Sequence, residues 1–156
     1  MEIWDSSFKR FAGKYDKIKS ELDYNDIKTY AKTSGVTEEA LEQGLLSNSS
    51  NFQTLAFNYS KTVMPGAVNS PTYAAVVAKI AEHFGISFTV YVGFALPEDS
   101  SNYDSWKKEF EEMKANGDEK AGIPNHVYIN INGKDYEYFN GNTANITHFN
   151  CIPYEG

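Results

Sequence analysis

Apolar positions in the first third of the chain recur at helical spacing. Phe8, Phe11, Tyr15 and Ile18 lie three or four residues apart, which builds one stripe on a helix over 5–20. A second helix fits 23–33, with Asp23 as its cap and Tyr24, Ile27, Tyr30 and Ala31 on a shared face. Ser34-Gly35 ends it. Thr37 then precedes Glu38-Glu39-Ala40-Leu41, which opens a third, short helix running to about Leu46. Its acidic first turn matches the positive end of a helix dipole. Residues 47–51 read as a polar loop. The aromatic stretch of Phe52, Leu55, Phe57 and Tyr59 does not declare a type.

The strongest helix signal comes next. A turn-rich approach from Met64 leads to Ser70-Pro71, with Ser70 expected as cap and Pro71 as first helical residue. Ala74, Val77, Ala78, Ile80, Ala81 and Phe84 follow, and the small side chains suit a central, closely packed helix. Gly85 stops it. Residues 86–95 alternate as a strand, with Ile86, Phe88, Val90 and Val92 on one face and Tyr91 on the other. A charged helix fits 103–114, with Trp106, Phe110 and Met113 as its buried stripe. Asn132-Gly133, between His126–Ile131 and Lys134–Phe139, is a strong hairpin signal. A last strand is expected over Ile146–Ile152.

This order predicts an α+β protein: N-terminal helices, then a central helix packed on a small C-terminal antiparallel sheet. The 156 residues suit a single domain, 1–156, with a helical N-terminal part at 1–46 and an α+β core at 52–156. A net charge of -7 argues against double-stranded nucleic acid as partner. One cysteine, Cys151, excludes an intrachain disulfide. No apolar run approaches the roughly 20 residues that a membrane helix needs. A cytoplasmic protein without membrane attachment is the expectation; the oligomeric state is not legible.

Candidate chemistry is sparse. No phosphate-cradling glycine loop is present, and the three histidines, His83, His126 and His148, show no metal-ligand spacing. Neither a metal nor a cofactor is therefore expected. His83 falls in the last turn of the central helix, where it suits the dipole. His148 is expected in a late strand or loop without a role. His126 opens a strand, and a two-residue hairpin at Asn132-Gly133 sets its partner near Phe139. Asn140 would then lie beside it and could orient the imidazole. Ser70, at a helix N-terminus that stabilises negative charge, is the position for a nucleophile.

The segment from Ser70 through Gly93, with the later block from His126 through Lys134, resembles transglutaminase-like proteins of the papain-like superfamily. In that family a nucleophilic cysteine opens a helix, a histidine begins a later strand, and an acidic or amide residue follows on the next strand. The resemblance implies a papain/transglutaminase-like core in which Ser70 stands where the cysteine belongs. Serine lacks an accessible thiolate. The implied function is a catalytically inactive module that binds another protein, as an accessory or virus-encoded factor acting on a host protein would. The 11 tyrosines and 10 phenylalanines suit such a binding surface. The alternative is a serine-variant hydrolase or acyltransferase using Ser70, His126 and Asn140.

Overall fold

The computed structural model describes residues 2–65, 69–117, 123–138 and 145–155. Helices α1 (Glu2–Glu21), α2 (Tyr24–Thr33), α3 (Glu38–Ser47), α4 (Ser50–Val63) and α5 (Ser70–His83) lead to strand β1 (Thr89–Pro97). Helix α6 (Tyr103–Ala115) follows, then β2 (His126–Ile131), β3 (Lys134–Tyr136) and β4 (Ile146–Tyr154). The four strands form one antiparallel sheet in the order β3-β2-β1-β4. The molecule is thus α+β, as the order of periodicities predicts.

Local chemistry explains most helix starts. The side chain of Asp23 accepts from the Asn25 N–H, and Thr37 Oγ1 accepts from Ala40. Both caps are the expected ones. The stretch of undeclared type is α4, a helix. Its buried residues Phe52, Leu55, Ala56, Tyr59 and Ser60 fall at spacings of three and four, a helical face hidden by the aromatic residues between them. The predicted polar loop 47–51 is correspondingly shorter. Ser47 still belongs to α3, Asn48 turns the chain in the left-handed region, and Ser49 Oγ caps α4 by accepting from Phe52. Gly44 lets the two helices approach, since a Cβ there would lie 3.0 Å from that of Phe52.

The start of α5 also differs by one residue. Asn69, not Ser70, is the cap: its Oδ1 accepts from the N–H and hydroxyl of Thr72. Ser70 is already helical, and its hydroxyl accepts from the backbone N–H of Val127 at 3.2 Å. Asparagine caps as well as serine does. Ser70 is therefore released to tie the helix to β2.

Helix α5 is buried along nearly its whole length, including both polar residues of its first turn, Ser70 and Thr72. Helices α1 to α4 pack around it on one side and β2 on the other. One core runs from Ala12 and Tyr15 through α5 to Val90, Val92, Val127, Ile129 and Ile131. It spans both the helical N-terminal part and the α+β part. Tyr136 ties the hairpin to the helices, its hydroxyl donating to the Leu45 carbonyl. A second, smaller cluster joins Phe110 of α6 to Phe94 and Phe149, with Trp106 and Met113 at its edge. Strand β1 starts three residues later than expected, but Ile86 and Phe88 still pack on the main core. Strand β4 runs two residues past the expected end, and β3 is paired only to Tyr136. Among the described residues no helix is long and apolar enough to cross a membrane.

Burial leaves several acidic protons in apolar surroundings. It pushes the Tyr15, Tyr73 and Tyr128 hydroxyls well above their ordinary 10.0, and raises Tyr24, beside Glu38, to about 12. It also pushes the Cys151 thiol from 9.0 to about 12. In each case the folded chain holds its proton where the unfolded chain loses it. That contribution is complete below the unfolded values and is lost as pH rises through the folded ones. The guanidinium midpoint is therefore expected to fall steadily above about pH 9. A flat midpoint between pH 8 and 11 would contradict this burial.

Candidate metal centre

The sheet has two chemically different faces. Val90 and Val92 of β1, with Val127 and Ile129 of β2, face the main core, where β2 packs against α5 and β1 against α1. The alternate residues face away. On β2 these are His126, Tyr128 and Asn130, and their β1 partners are Gly93, Tyr91 and Thr89. On β4 the partner of Gly93 is Cys151 and that of Ala95 is His148.

A β-bulge decides where His148 points. The β1–β4 register shifts between Phe94, opposite Asn150, and Ala95, opposite His148, leaving Phe149 as the extra residue. Strict alternation would set His148 and Cys151 on opposite faces. The bulge puts both on the face that carries His126, and it turns Phe149 into the small aromatic cluster. Beneath the two histidines β1 offers only Gly93 and Ala95. With no large side chain between them, imidazoles from strands on either side of β1 approach to 5.9 Å between ring centroids. Tyr128 stacks on His148 at 4.0 Å and on Tyr91 at 5.1 Å, holding the His148 ring upright.

Glu137, just past β3, completes the group. Its Oε1 lies 2.6 Å from His126 Nε2 and 2.7 Å from His148 Nε2. His126 is fully buried, Glu137 is 8 % exposed and His148 19 %. Burial pushes His126 below its ordinary 6.5 against the pull of Glu137. Burial alone would raise Glu137, yet the two imidazole hydrogen bonds hold it below 4.5. Both directions describe one state: a neutral His126 donating to an ionised carboxylate.

One oxygen and two ring nitrogens thus lie within 4.8 Å of one another. A tetrahedral ion with bonds of about 2.0–2.1 Å would hold its donors about 3.3 Å apart, so small side-chain adjustments accommodate one. The set matches the chemistry of zinc and of non-haem iron(II), which take neutral imidazole with a carboxylate. Three protein donors leave at least one coordination position for water or another ligand.

The residues singled out from sequence fall differently. Ser70 Oγ is spent on the Val127 N–H, next in chain to His126. The His126 ring is engaged by Glu137. Asn140 lies outside the described residues. The hairpin register agrees with the count from Asn132-Gly133: Ile131 pairs with Lys134, Asn130 with Asp135 and Ile129 with Tyr136. That ladder sets Phe139 as the expected partner of His126, whereas Glu137, two residues nearer the turn, reaches His126 diagonally. His148, expected to have no role, is a member of the cluster. His83 sits at the end of α5, stacked on Tyr24 at 3.5 Å and 3.5 Å from a Glu38 oxygen. Cys151 donates from Sγ to the Phe94 carbonyl at 3.6 Å.

No family model, curated protein or solved structure matches the chain.

Gly93 is the residue on which this arrangement is most exposed to substitution. A Cβ there would lie 1.9 Å from the Asn150 carbonyl oxygen and 2.5 Å from the Cys151 Cα, both backbone atoms. Gly93→Ala is expected to force β4 away from β1 and to cost about 3 kcal/mol or more, at the upper end for overpacking. Urea denaturation measures it. A loss under about 0.5 kcal/mol, the usual range for an inert surface change, would rule out this close approach.

Proposed function

We propose that the chain binds a divalent transition-metal ion, zinc by preference, through His126 Nε2, Glu137 Oε1 and His148 Nε2. The observation that carries this reading is the convergence of two buried donors, His126 and Glu137, and the half-buried His148 within 4.8 Å, from β2, the end of the hairpin and β4. Buried ionisable side chains seldom gather without a reason, and an ion exchanges two hydrogen bonds for three coordinate bonds. Bound there, it would join the β3 side of the sheet to the β4 edge across β1. Its remaining position would hold water or an anionic group, polarised by the ion as by any Lewis acid.

After stripping with chelator, calorimetry is expected to find one zinc ion bound per chain. The melting temperature should rise with zinc, by the equivalent of about 2.7 kcal/mol at a hundredfold excess over Kd. Glu137→Gln and His148→Ala should each abolish the rise. Absence of binding to the wild type, or full binding by both variants, would refute the metal centre.

A second reading is the catalytically inactive, transglutaminase-like module that binds another protein. What weighs for it over a hydrolase is Ser70. The residue is 6 % exposed and its hydroxyl already accepts from the Val127 N–H, so it serves as a helix-to-strand tie. The serine hydrolase alternative requires the same hydroxyl to be free for attack. A fluorophosphonate probe separates the two: the native protein is expected to remain unlabelled. Labelling at Ser70 that disappears in Ser70→Ala and depends on His126 would instead support the hydrolase.

A further inference from the structure

Beyond the three donors, the same sheet face carries a polar chain that begins in the hairpin turn. Asn130 Oδ1 accepts from the Gly133 N–H at 3.2 Å, which fixes the Asn130 amide. The other end of that amide, Nδ2, donates to Asp135 Oδ1 at 2.8 Å. The second carboxylate oxygen, Asp135 Oδ2, stands 3.7 Å from His148 Nδ1. Asn48, between α3 and α4, donates to the Asp135 backbone carbonyl at 3.3 Å and anchors the same residue from the helical side. Asp135 is therefore held at both backbone and side chain, with one oxygen turned to the outer nitrogen of His148.

His148 Nε2 faces the Glu137 carboxylate at 2.7 Å, so without metal a proton belongs on Nε2. In the neutral ring with its proton there, Nδ1 has none to donate to Asp135. A metal on Nε2 reverses the requirement. The nitrogen that binds the ion must give up its proton, and the neutral ring then carries its proton on Nδ1, facing Asp135. Nε2 loses one proton to water and Nδ1 takes one from water, so the ring's charge does not change.

We propose that Asp135 is the positioning residue of the metal centre: it receives the Nδ1–H of His148 when Nε2 takes the ion, with Asn130 holding the carboxylate in place. The inference rests on the metal-binding reading above. Outer carboxylates of this kind orient the ring, select its tautomer and raise the basicity of the ligating nitrogen. Within the cluster His148 is the ligand that needs such support. It is the most exposed of the three, and it sits beside a bulge rather than in a continuous ladder.

The test compares zinc affinity in the full chain. Asp135→Ala is expected to weaken zinc binding 10- to 100-fold, the usual cost of losing an outer-shell partner. Asp135→Asn, which keeps the shape and one acceptor oxygen, should fall between Asp135→Ala and the wild type, and it is the variant to read if the alanine protein does not fold. Imidazole ¹⁵N spectra supply a readout that general destabilisation does not mimic. His148 should carry its proton on Nε2 without metal and on Nδ1 with zinc. If the wild type binds zinc but both Asp135 variants match its affinity, or His148 shows no Nδ1–H when loaded, the positioning role is overturned while the metal centre stands. If the wild type binds no zinc, both fall together.

Discussion

Helix α5 buries nearly every residue from Ser70 to Ala81, and the rest of the molecule is arranged to let it. Its stretch of Ala74, Ala75, Val76, Val77, Ala78 and Ala81 has small radius, and polar side chains reach the surface only near its end, at Lys79, Glu82 and His83. Four helices close one side and the sheet closes the other, so the face of β2 that carries Val127 and Ile129 is committed to the core. Strand alternation then sends His126, Tyr128 and Asn130 to the opposite face. Ser70 reinforces the commitment where α5 meets β2, because its hydroxyl satisfies a backbone N–H of that strand. The polar face is in this sense a by-product of how the apolar one is used.

What turns that face into a site is a local irregularity. A continuous β1–β4 ladder would bring Phe149 over Ala95 and send His148 the other way. One extra residue reverses the pair, placing the phenylalanine among Phe94 and Phe110 and the histidine above small residues. The bulge also brings the backbone of β4 so close to β1 that only glycine fits at position 93. Packing and chemistry share one cause here: the close approach that excludes a side chain at Gly93 also leaves the space across which His126 and His148 meet.

The electrostatics of the cluster are self-consistent. Burial opposes charge on His126 and equally opposes charge on Glu137, but the carboxylate collects two hydrogen bonds from nitrogen and stays ionised. Asp135 lies just outside, 37 % exposed and held by Asn130. Two carboxylates close together raise the nearby Cys151 thiol further than burial alone does. That thiol is consequently unsuited to nucleophilic work.

Periodicity and capping chemistry by themselves determined most of the architecture. Apolar spacing, with the cap and acidic first turn of α3, located five of the six helices among the described residues, and the caps Asp23 and Thr37 stand where the sequence places them, because such signals act within a few residues. Asn132-Gly133 set the hairpin register correctly for the same reason: a two-residue turn leaves no freedom in the pairing beside it. Helix α4 was less legible, since Phe57 interrupts its buried stripe with an aromatic residue on another face. At the start of α5 the sequence does not separate Asn69 from Ser70, since both are good caps and only the geometry chooses Asn69. The candidate site was hardly legible at all. His126 could be singled out as a strand-opening histidine, but Glu137 and His148 join it through a diagonal contact and a bulge. Neither leaves a mark in residue spacing. The diagonal contact is made within the hairpin, eleven residues along the chain; the bulge arises from how β4 docks on β1 over glycine and alanine, a decision made between segments more than fifty residues apart, and only tertiary structure makes decisions of that kind.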